Sequence, residues 1–355
     1  MKKTLLALAM LGAFAGAAHA QSAVVIYGNV DAGLIKRTDQ SLNIGKRANN
    51  TLGFRGTEAL GNGLNAIFQL EMRYEPDNGN LEQGAGGAQR PLMQGQSRVG
   101  LQSATLGMLR IGRGLTAFQE SSIAFEPFHG IPSPSGFQAD IHVAGYSSDP
   151  LGPFGNSANR FSNAIFYNSP VMGGGFQINT TIATREANQN AVLIGRGTAA
   201  APQYPANTKA SANPFSISGT YKTTAAGVLL AYERNAVEST VRQLAGYVMA
   251  TPVTKVMASI TRQDQEHTRV LNQDTNAWML GVNHTVGAGM FIAGYGQKNT
   301  DGLSKVKQIS LGYEYSLSKR TYVYADLSNK KGAPAIAPST ATSINHYALG
   351  VNHSF

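Results

Sequence analysis

The stretch Leu64-Asn-Ala-Ile-Phe-Gln-Leu-Glu-Met-Arg-Tyr74 changes character at nearly every position. Its even-numbered residues are apolar, and its odd-numbered residues are polar apart from Ile67. Successive side chains of a strand point to opposite faces, so this period of two predicts a β-strand with one apolar face. Residues 215–222 and 307–317 repeat the pattern, whereas helical spacing is hard to find after residue 20.

Alternation alone does not separate a soluble β-sandwich from a membrane barrel, because both bury one face of a sheet. The alternating segments are about 10 to 13 residues long, against about 5–6 in soluble sheets. That length suits a tilted membrane crossing of ~9–11 residues. Tyr and Phe gather near the segment ends, and short connections alternate with long ones, as in outer-membrane barrels. These features favour the membrane barrel.

Counting the segments predicts an all-β fold, a 16-stranded antiparallel transmembrane β-barrel, with a count of 18 left open. An even count places both chain ends on the short-turn side. A barrel of this size is too wide for its own side chains to fill, so it encloses an aqueous channel. The predicted strands start near Val24, Lys46, Leu64, Ser97, Gly107, Arg160, Gly175, Phe215, Gly227, Thr240, Val253, Asn276, Gly289, Val306, Arg320 and Ile344.

The first twenty residues have the layout of a secretory signal peptide. Lys2 and Lys3 form a basic region, an apolar run follows, and Ala18-His-Ala20 fits the small-residue cleavage rule. Cleavage after Ala20 would divide the chain into a signal peptide, 1–20, and a barrel, 21–355. The alternative, an N-terminal membrane anchor, requires a longer apolar run. No later segment approaches 18 consecutive apolar residues, so no transmembrane helix is predicted.

Composition excludes several other classes of protein. The chain has no cysteine, which rules out a disulfide scaffold and cysteine-ligated zinc or iron–sulfur sites. Its histidines lack metal-binding spacing, so no metal is expected. Residues 61–66 match the glycine pattern of dinucleotide-binding loops, but they open a strand and not a helix, so no cofactor is expected. The net charge is +9, but the basic residues are dispersed and the chain is exported, so no nucleic-acid partner is expected. A Ser-His-Asp triad assembled across distance stays open, although nothing points to an enzyme.

Six stretches after the signal peptide carry a family resemblance. They are Val25-Ile-Tyr-Gly-Asn-Val-Asp-Ala-Gly33, Leu52 to Glu71, Ser97-Arg-Val-Gly-Leu101, Leu109-Arg-Ile-Gly-Arg-Gly114, Arg160 to Pro170 and Tyr347-Ala-Leu-Gly-Val-Asn-His-Ser-Phe355. Together they resemble the general diffusion porins of Gram-negative outer membranes, and most closely the beta-proteobacterial branch of that family. The resemblance covers the whole chain after the signal peptide.

The resemblance implies a homotrimer in the outer membrane whose third external loop folds inward and narrows the pore. Here that loop runs from Leu115 to Asn159, and a loop this long is either functional or disordered. A loop that stays outside the barrel is the alternative. The apolar residues available to dock the loop on a wall are Phe118, Phe125, Phe128, Ile131, Phe137 and Ile141.

Charged residues are expected to face each other across the narrowest section. Alternation places Arg55, Arg73 and Arg98 on the inner face, and the resemblance adds Arg113 and Arg160. Strand parity turns Arg113 outward unless a β-bulge intervenes. Rings of such charges set ion preference in channels. The structural alternative is that each arginine is a solvated residue of the barrel wall that binds a local partner. The expected acidic residues on the loop are Glu120, Glu126 and Asp140, and Lys330 and Lys331 are expected at the surface.

The predicted function is a water-filled channel for passive diffusion of small hydrophilic solutes and ions, with a mild anion preference and no enzymatic activity. A substrate-selective porin of the same fold, an outer-membrane barrel enzyme and a soluble periplasmic β-protein are the alternatives. Expected partners are outer-membrane lipids, lipopolysaccharide and small solutes. The resemblance also implies that barrel assembly machinery recognises the terminal strand, which ends at Phe355.

Overall fold

A computed structural model describes residues 23–82, 90–150, 159–184, 212–265, 273–332 and 341–355. The predicted signal peptide lies outside the described residues. Within these ranges, seventeen strands form one antiparallel sheet. The strands are β1 (Ala23–Arg37), β2 (Asn43–Gly45), β3 (Asn50–Gly61), β4 (Leu64–Tyr74), β5 (Gln96–Ser103), β6 (Gly107–Leu115), β7 (Arg160–Asn168), β8 (Phe176–Ala183), β9 (Phe215–Lys222), β10 (Ala226–Arg234), β11 (Thr240–Thr251), β12 (Thr254–Asp264), β13 (Thr275–Val286), β14 (Gly289–Thr300), β15 (Val306–Ser316), β16 (Thr321–Lys331) and β17 (Ser343–Ser354).

The sheet closes on itself through its first and last strands. The C-terminal part of β1 pairs with β17 from Asn29↔Ser354 onward, and its N-terminal part pairs with β3. Because β2 is a three-residue piece beside β1, sixteen strands make the wall. The predicted barrel and its count of sixteen are confirmed, and the predicted starts agree with the strands to within one residue except at the second strand.

The second strand does not start at Lys46, as the sequence predicted. Residues 46–49 leave the sheet between β2 and β3, and Arg47 becomes completely buried. Its backbone N–H donates to the Asp31 carboxylate at 2.6 Å, and its Nε donates to Asp326 at 2.7 Å. Asp31 lies 16 residues earlier on β1 and Asp326 lies 279 residues later on β16, so alternation within the segment carries no sign of the interruption.

The two faces of the wall follow the predicted period of two. On β15, Ile309 and Leu311 are about half exposed, whereas the residues that precede them, Gln308 and Ser310, are buried. A barrel in lipid presents an apolar band outward and a polar lining inward. The aliphatic face is therefore the outer one. Among the described residues, no helix is long and apolar enough to cross a membrane.

The segment after β6 forms a short helix, α1 (Ala117–Ser122), and then a single 3₁₀ turn at Ile123–Phe125. The Thr116 side chain caps α1 by accepting a hydrogen bond from the Gln119 N–H at 3.2 Å. A β-region residue with a side-chain oxygen satisfies one of the free N–H groups at a helix start. The cap sets the direction in which the segment leaves the end of β6.

Segment 116–150 packs along the polar faces of the strands. Phe118 and Phe125 contact apolar residues of β10 and β11, and Phe137 and Ile141 contact β13 and β14. Further along the wall, the Gln308 side chain of β15 donates to the Pro134 carbonyl at 3.0 Å. All of these wall positions lie on the face opposite to the exposed aliphatic residues.

Candidate pore constriction

A row of basic and amide side chains crosses the inner face of four neighbouring wall strands. Arg55 of β3 is the register partner of Gln69 on β4, and Gln69 is the partner of Arg98 on β5. The Arg98 guanidinium donates from Nε and Nη2 to Gln69 Oε1 at 3.2 and 2.9 Å. Arg110 of β6 completes the row, two residues along β6 from Gly112, which is the register partner of Arg98. Arg55 is exposed, and its guanidinium lies 5.3 Å from the centre of the Tyr27 ring.

The first turn of α1 brings an acid to this row. Glu120 lies 3.4 Å from Arg110 Nη2 and 3.9 Å from Arg98 Nη2. Its side chain keeps 34% of its surface accessible, whereas each of the two arginine side chains keeps 6%. Of the three loop acids expected from the sequence, Glu120 is the one that meets a predicted wall arginine.

Glu126 has a different role from the expected one. It is buried, and its carboxylate accepts hydrogen bonds from the N–H groups of Gly130 at 2.8 Å and Phe137 at 2.9 Å. Burial raises the pKa of Glu126 to about 7, although these N–H groups act in the opposite direction. The expectation that it faces the wall arginines is wrong, because its oxygens are used to hold the backbone of its own segment.

Asp140 also binds other partners than the arginines. It forms ion pairs with Lys298 of β14 and Lys330 of β16. Burial alone would raise the pKa of Asp140, but the two ammonium groups outweigh burial and hold this pKa below its usual range. Lys330 is therefore not the surface lysine that the sequence suggested, whereas Lys331 is exposed.

Arg73, Arg113 and Arg160 form a second group toward the long-loop ends of their strands. Arg73 is buried and lies 3.9 Å from Glu82. Arg113 donates to the Gln94 carbonyl at 3.2 Å. Arg160 is 2% exposed, and its Nε donates to the Gly95 carbonyl at 2.5 Å. Each of these guanidinium groups has a local protein partner, as the alternative expected, but Arg73 and Arg160 are buried and not solvated.

The parity conflict at Arg113 has a structural explanation. The pairing of β6 with β7 shifts register between Gly112 and Gly114. Gly112 has a φ of +132°, and Asn163 on the facing strand has a φ of +51°. Bulges of this kind re-aim side chains next to functional sites. The Arg113 Nη1 donates to the Ser162 hydroxyl at 2.7 Å within this irregular region.

Sequence reasoning missed several basic residues on the inner face, among them Arg110, Lys255 and Lys222. Arg110 was detectable, because its neighbours Leu109 and Ile111 face outward and parity turns Arg110 inward. Lys255 of β12 donates to the Ala124 carbonyl at 3.0 Å, below the helix α1. Lys222 of β9 lies 5.5 Å from the centre of the Phe125 ring.

Arg47 binds to an acidic part of the inner wall. Its Nη1 donates to Glu314 at 2.6 Å, while its Nε donates to Asp326. The Tyr324 hydroxyl donates to Asp31 at 2.9 Å within the same network. This cluster balances part of the basic charge in the bore. In the part of the chain that the structure describes, no three acidic or histidine side chains are grouped in a way that would hold a metal ion.

A closed barrel with a polar lining, a long segment against that lining and facing charges defines the class of β-barrel pores. The family model for Gram-negative porins matches residues 7–333, and this chain belongs to that family. It is 32% identical over 391 residues to outer membrane porin protein 32 of Delftia acidovorans. It is 28% identical over 412 residues to an outer membrane porin protein of Bordetella pertussis. Both alignments cover 100% of both chains.

Solved structures show the same fold. The anion-selective porin from Comamonas acidovorans superposes with a TM-score of 0.73 at 23% identity, covering 94% of this chain and 100% of that one. OmpT of Vibrio cholerae, in its trimer form, gives 0.66 at 13% identity, covering 94% and 99%. The predicted beta-proteobacterial porin resemblance and outer-membrane location are confirmed. The chain is an outer-membrane porin, a channel for passive diffusion.

Proposed function

We propose that this porin prefers small anions and that the preference arises where Glu120 meets the row of Arg55, Arg98 and Arg110. The observation that carries the proposal is the charge balance of this row. Three guanidinium groups of the row face one loop carboxylate, which leaves a surplus of two positive charges within the row. The wall carboxylate beside the row, Glu71, accepts a hydrogen bond from the Tyr27 hydroxyl at 3.1 Å and lies 4.0 Å from the guanidinium of Arg73, which balances its charge. Charged groups lining a narrow aqueous passage favour ions of the opposite sign.

The remaining inner charges act on the preference in both directions. Lys222 and Lys255 add positive charge below α1, and Asp140 is neutralised by its two lysines. The network around Arg47 works in the opposite direction, because it holds three carboxylates against one guanidinium. Ions more than a Debye length away, about 8–10 Å at physiological salt, are largely screened from any of these groups.

Segment 116–150 is the proposed inward-folded loop 3 that sets the narrowest section. Support comes from its buried aromatic residues, which anchor it to β10, β11, β13 and β14, and from the salt bridges of Asp140. These contacts hold Glu120 in place opposite the basic row. The loop thereby fixes both the width of the passage and the side of it that carries negative charge.

The assembly and partners are also proposals. We propose a homotrimer, as OmpT of Vibrio cholerae occurs in a trimer form. Its outer face would contact outer-membrane lipids and lipopolysaccharide, and barrel assembly machinery would recognise the strand that ends at Phe355. The chain would act as a channel and not as an enzyme, on small hydrophilic solutes and ions. Residues 1–20 would be removed as a signal peptide.

The zero-current potential of the purified protein in a planar bilayer tests the proposed preference. A KCl gradient should give a potential with the sign of chloride permeation, larger at low salt because screening weakens there. A cation-selective wild type would overturn the proposal. A saturable block of conductance by an organic anion would replace the general channel with the substrate-selective alternative, whereas conductance proportional to solute concentration supports diffusion.

A further inference from the structure

The outer face of the barrel carries a polar row near the long-loop ends of β10 to β14. Tyr232, Arg242, Arg262, Asn276 and Asn299 are successive register partners across these five strands. Side chains of register partners stand on the same face of a sheet. The row therefore presents two arginines side by side, flanked by a tyrosine and two amides.

This row faces away from the bore. The next residues of the same parity toward the short turns are Leu244, Ile260 and Trp278, which are 44%, 59% and 38% exposed. They are again register partners of one another. The arginines consequently stand at the upper edge of the apolar band that lipid tails cover. A charged side chain near this edge costs much less free energy than one at mid-depth of the membrane.

The positive charge of the row exceeds what the described residues neutralise. Arg262 Nη2 pairs with Asp274 at 2.9 Å, and its side chain remains 62% exposed. Among the described residues, Arg242 makes no ion pair, and its guanidinium lies 6.0 Å from the Tyr232 ring centre. The charge of Arg242 thus has no ion-pair partner among the described residues, at the height where lipid headgroups lie.

The shape of the surface below the row suits an acyl chain. An open groove of about 860 Å³ runs along the arginines and the apolar residues beneath them, including Leu230, Ile260 and Trp278. In the row below, Gly246 and Ala258 are register partners, so the wall there carries almost no side chain. A depression bordered by Leu and Trp and capped by guanidinium groups matches a lipid with an anionic headgroup.

We propose that this groove binds a phosphorylated glycolipid of the outer leaflet, with its phosphate on Arg242 and Arg262 and an acyl chain over Ile260 and Trp278. The planar guanidinium fork donates two parallel hydrogen bonds to phosphate, which suits arginine better than lysine for this contact. Asn276 and Asn299 are placed to contact sugar hydroxyls. The site rests on the proposed contact of the outer face with lipopolysaccharide, but it lies outside the bore, so its failure would leave the proposed anion preference untouched.

The chain itself supplies the measurement, because Trp278 is its one tryptophan and lies in the groove. Diphosphorylated lipid A is added to the folded protein in detergent, and the change in tryptophan emission gives the dissociation constant. The test variant is Arg242→Gln with Arg262→Gln. A hydrogen bond to a charged group contributes roughly 1.5–3 kcal/mol, so the dissociation constant should rise about tenfold or more for each arginine lost.

Two controls make the test specific. Lys319→Gln with Arg320→Gln removes two exposed cations from the short turn at the opposite end of the barrel, and it should leave the dissociation constant unchanged. Lipid A stripped of both phosphates should bind the wild type and the arginine variant equally. Conductance should be the same in all three proteins.

Three outcomes would overturn the proposal. The first is an arginine variant that binds diphosphorylated lipid A within twofold of wild type. The second is a wild type that does not distinguish the lipid with phosphates from the lipid without them. The third is a Leu244→Cys variant that forms disulfide-linked dimers in the membrane in high yield, because a second copy of the chain would then cover the groove.

Discussion

Replacing Arg55 with glutamate should move the ion preference of the channel toward cations. Arg55 is the exposed guanidinium of the constriction row, so the change acts on passing ions with little cost to packing. The row and Glu120 now carry a surplus of two positive charges. Arg55→Glu removes one positive charge and adds a negative one, which brings the local balance to zero.

The size of the effect follows from Coulomb's law. An ion about 6 Å from a unit charge in water gains or loses ~0.7 kcal/mol, and a Debye length of about 10 Å reduces this to ~0.4 kcal/mol. A change of two charges then alters the free energy of each ion by ~0.8 kcal/mol, or three- to fourfold in partition. Anions lose what cations gain, so the permeability ratio should change by about tenfold.

The assay is the zero-current potential across a KCl gradient, measured at 0.1 M and at 1 M salt. The Debye length falls to about 3 Å at 1 M, so most of the shift should disappear there. Lys331→Glu is the matched control, because it makes the same change of charge at an exposed residue whose parity on β16 turns it outward. Its potential should equal that of the wild type.

An Arg55→Glu protein with the wild-type potential at 0.1 M would refute the reasoning, because the selecting charges would then lie elsewhere. Arg160 is a poor second target, although the sequence suggested it. Arg160 is buried and donates to the Gly95 carbonyl, so Arg160→Glu should lower the yield of folded protein more than it changes ion selectivity.

Further outcomes are expected at the loop, the chain end and the signal peptide. Asp140→Asn weakens the ion pairs that tie the loop to Lys298 and Lys330. Single-channel recordings should therefore show more frequent closures than wild type, and unchanged gating would contradict this role of Asp140. Deleting Phe355 removes its backbone hydrogen bonds to Gly28, so heat-resistant trimer in membrane extracts should fall while conductance per channel stays the same. Glu126 has its pKa raised from 4.5 to about 7, so its contribution to stability is complete below pH 4.5 and is lost as the pH rises through 7. The stability difference between wild type and Glu126→Gln should therefore shrink by up to ~3 kcal/mol over that range in thermal unfolding, and a constant difference would contradict the shift. Intact mass of the outer-membrane protein should give an N-terminus at Gln21, and retention of residues 1–20 would exclude cleavage.

The strands could be predicted from the sequence because the pattern that marks a barrel wall is local. Each strand alternates between a lipid face and a lining face, so a few consecutive residues such as Gln308, Ile309, Ser310 and Leu311 reveal both faces. Parity also placed Arg55 and Arg98 on the inner face correctly. The same rule would have found Arg110 between Leu109 and Ile111, in place of relying on the resemblance for Arg113.

The partners of the charged side chains could not be predicted from the sequence in the same way. Glu120, Glu126 and Asp140 are similar carboxylates in one loop, yet one meets arginines, one binds backbone N–H groups and one binds two lysines. The partner of each acid depends on how the loop lies against strands that are up to 190 residues away, as for Asp140 and Lys330. No periodicity in the sequence encodes a contact of that kind.

The sequence by itself determined the barrel, the number of its wall strands to within two, the inner and outer face of nearly every strand, and the loop rich in docking aromatic residues. These features depend on neighbouring residues and on the regular geometry of a strand. The tertiary structure alone decided that residues 46–49 leave the wall, that Arg110 contacts Glu120, and that Lys330 forms an ion pair with Asp140 of the loop. These features depend on closing the sheet into a ring, because closure brings β1 against β17 and places distant side chains around one enclosed space.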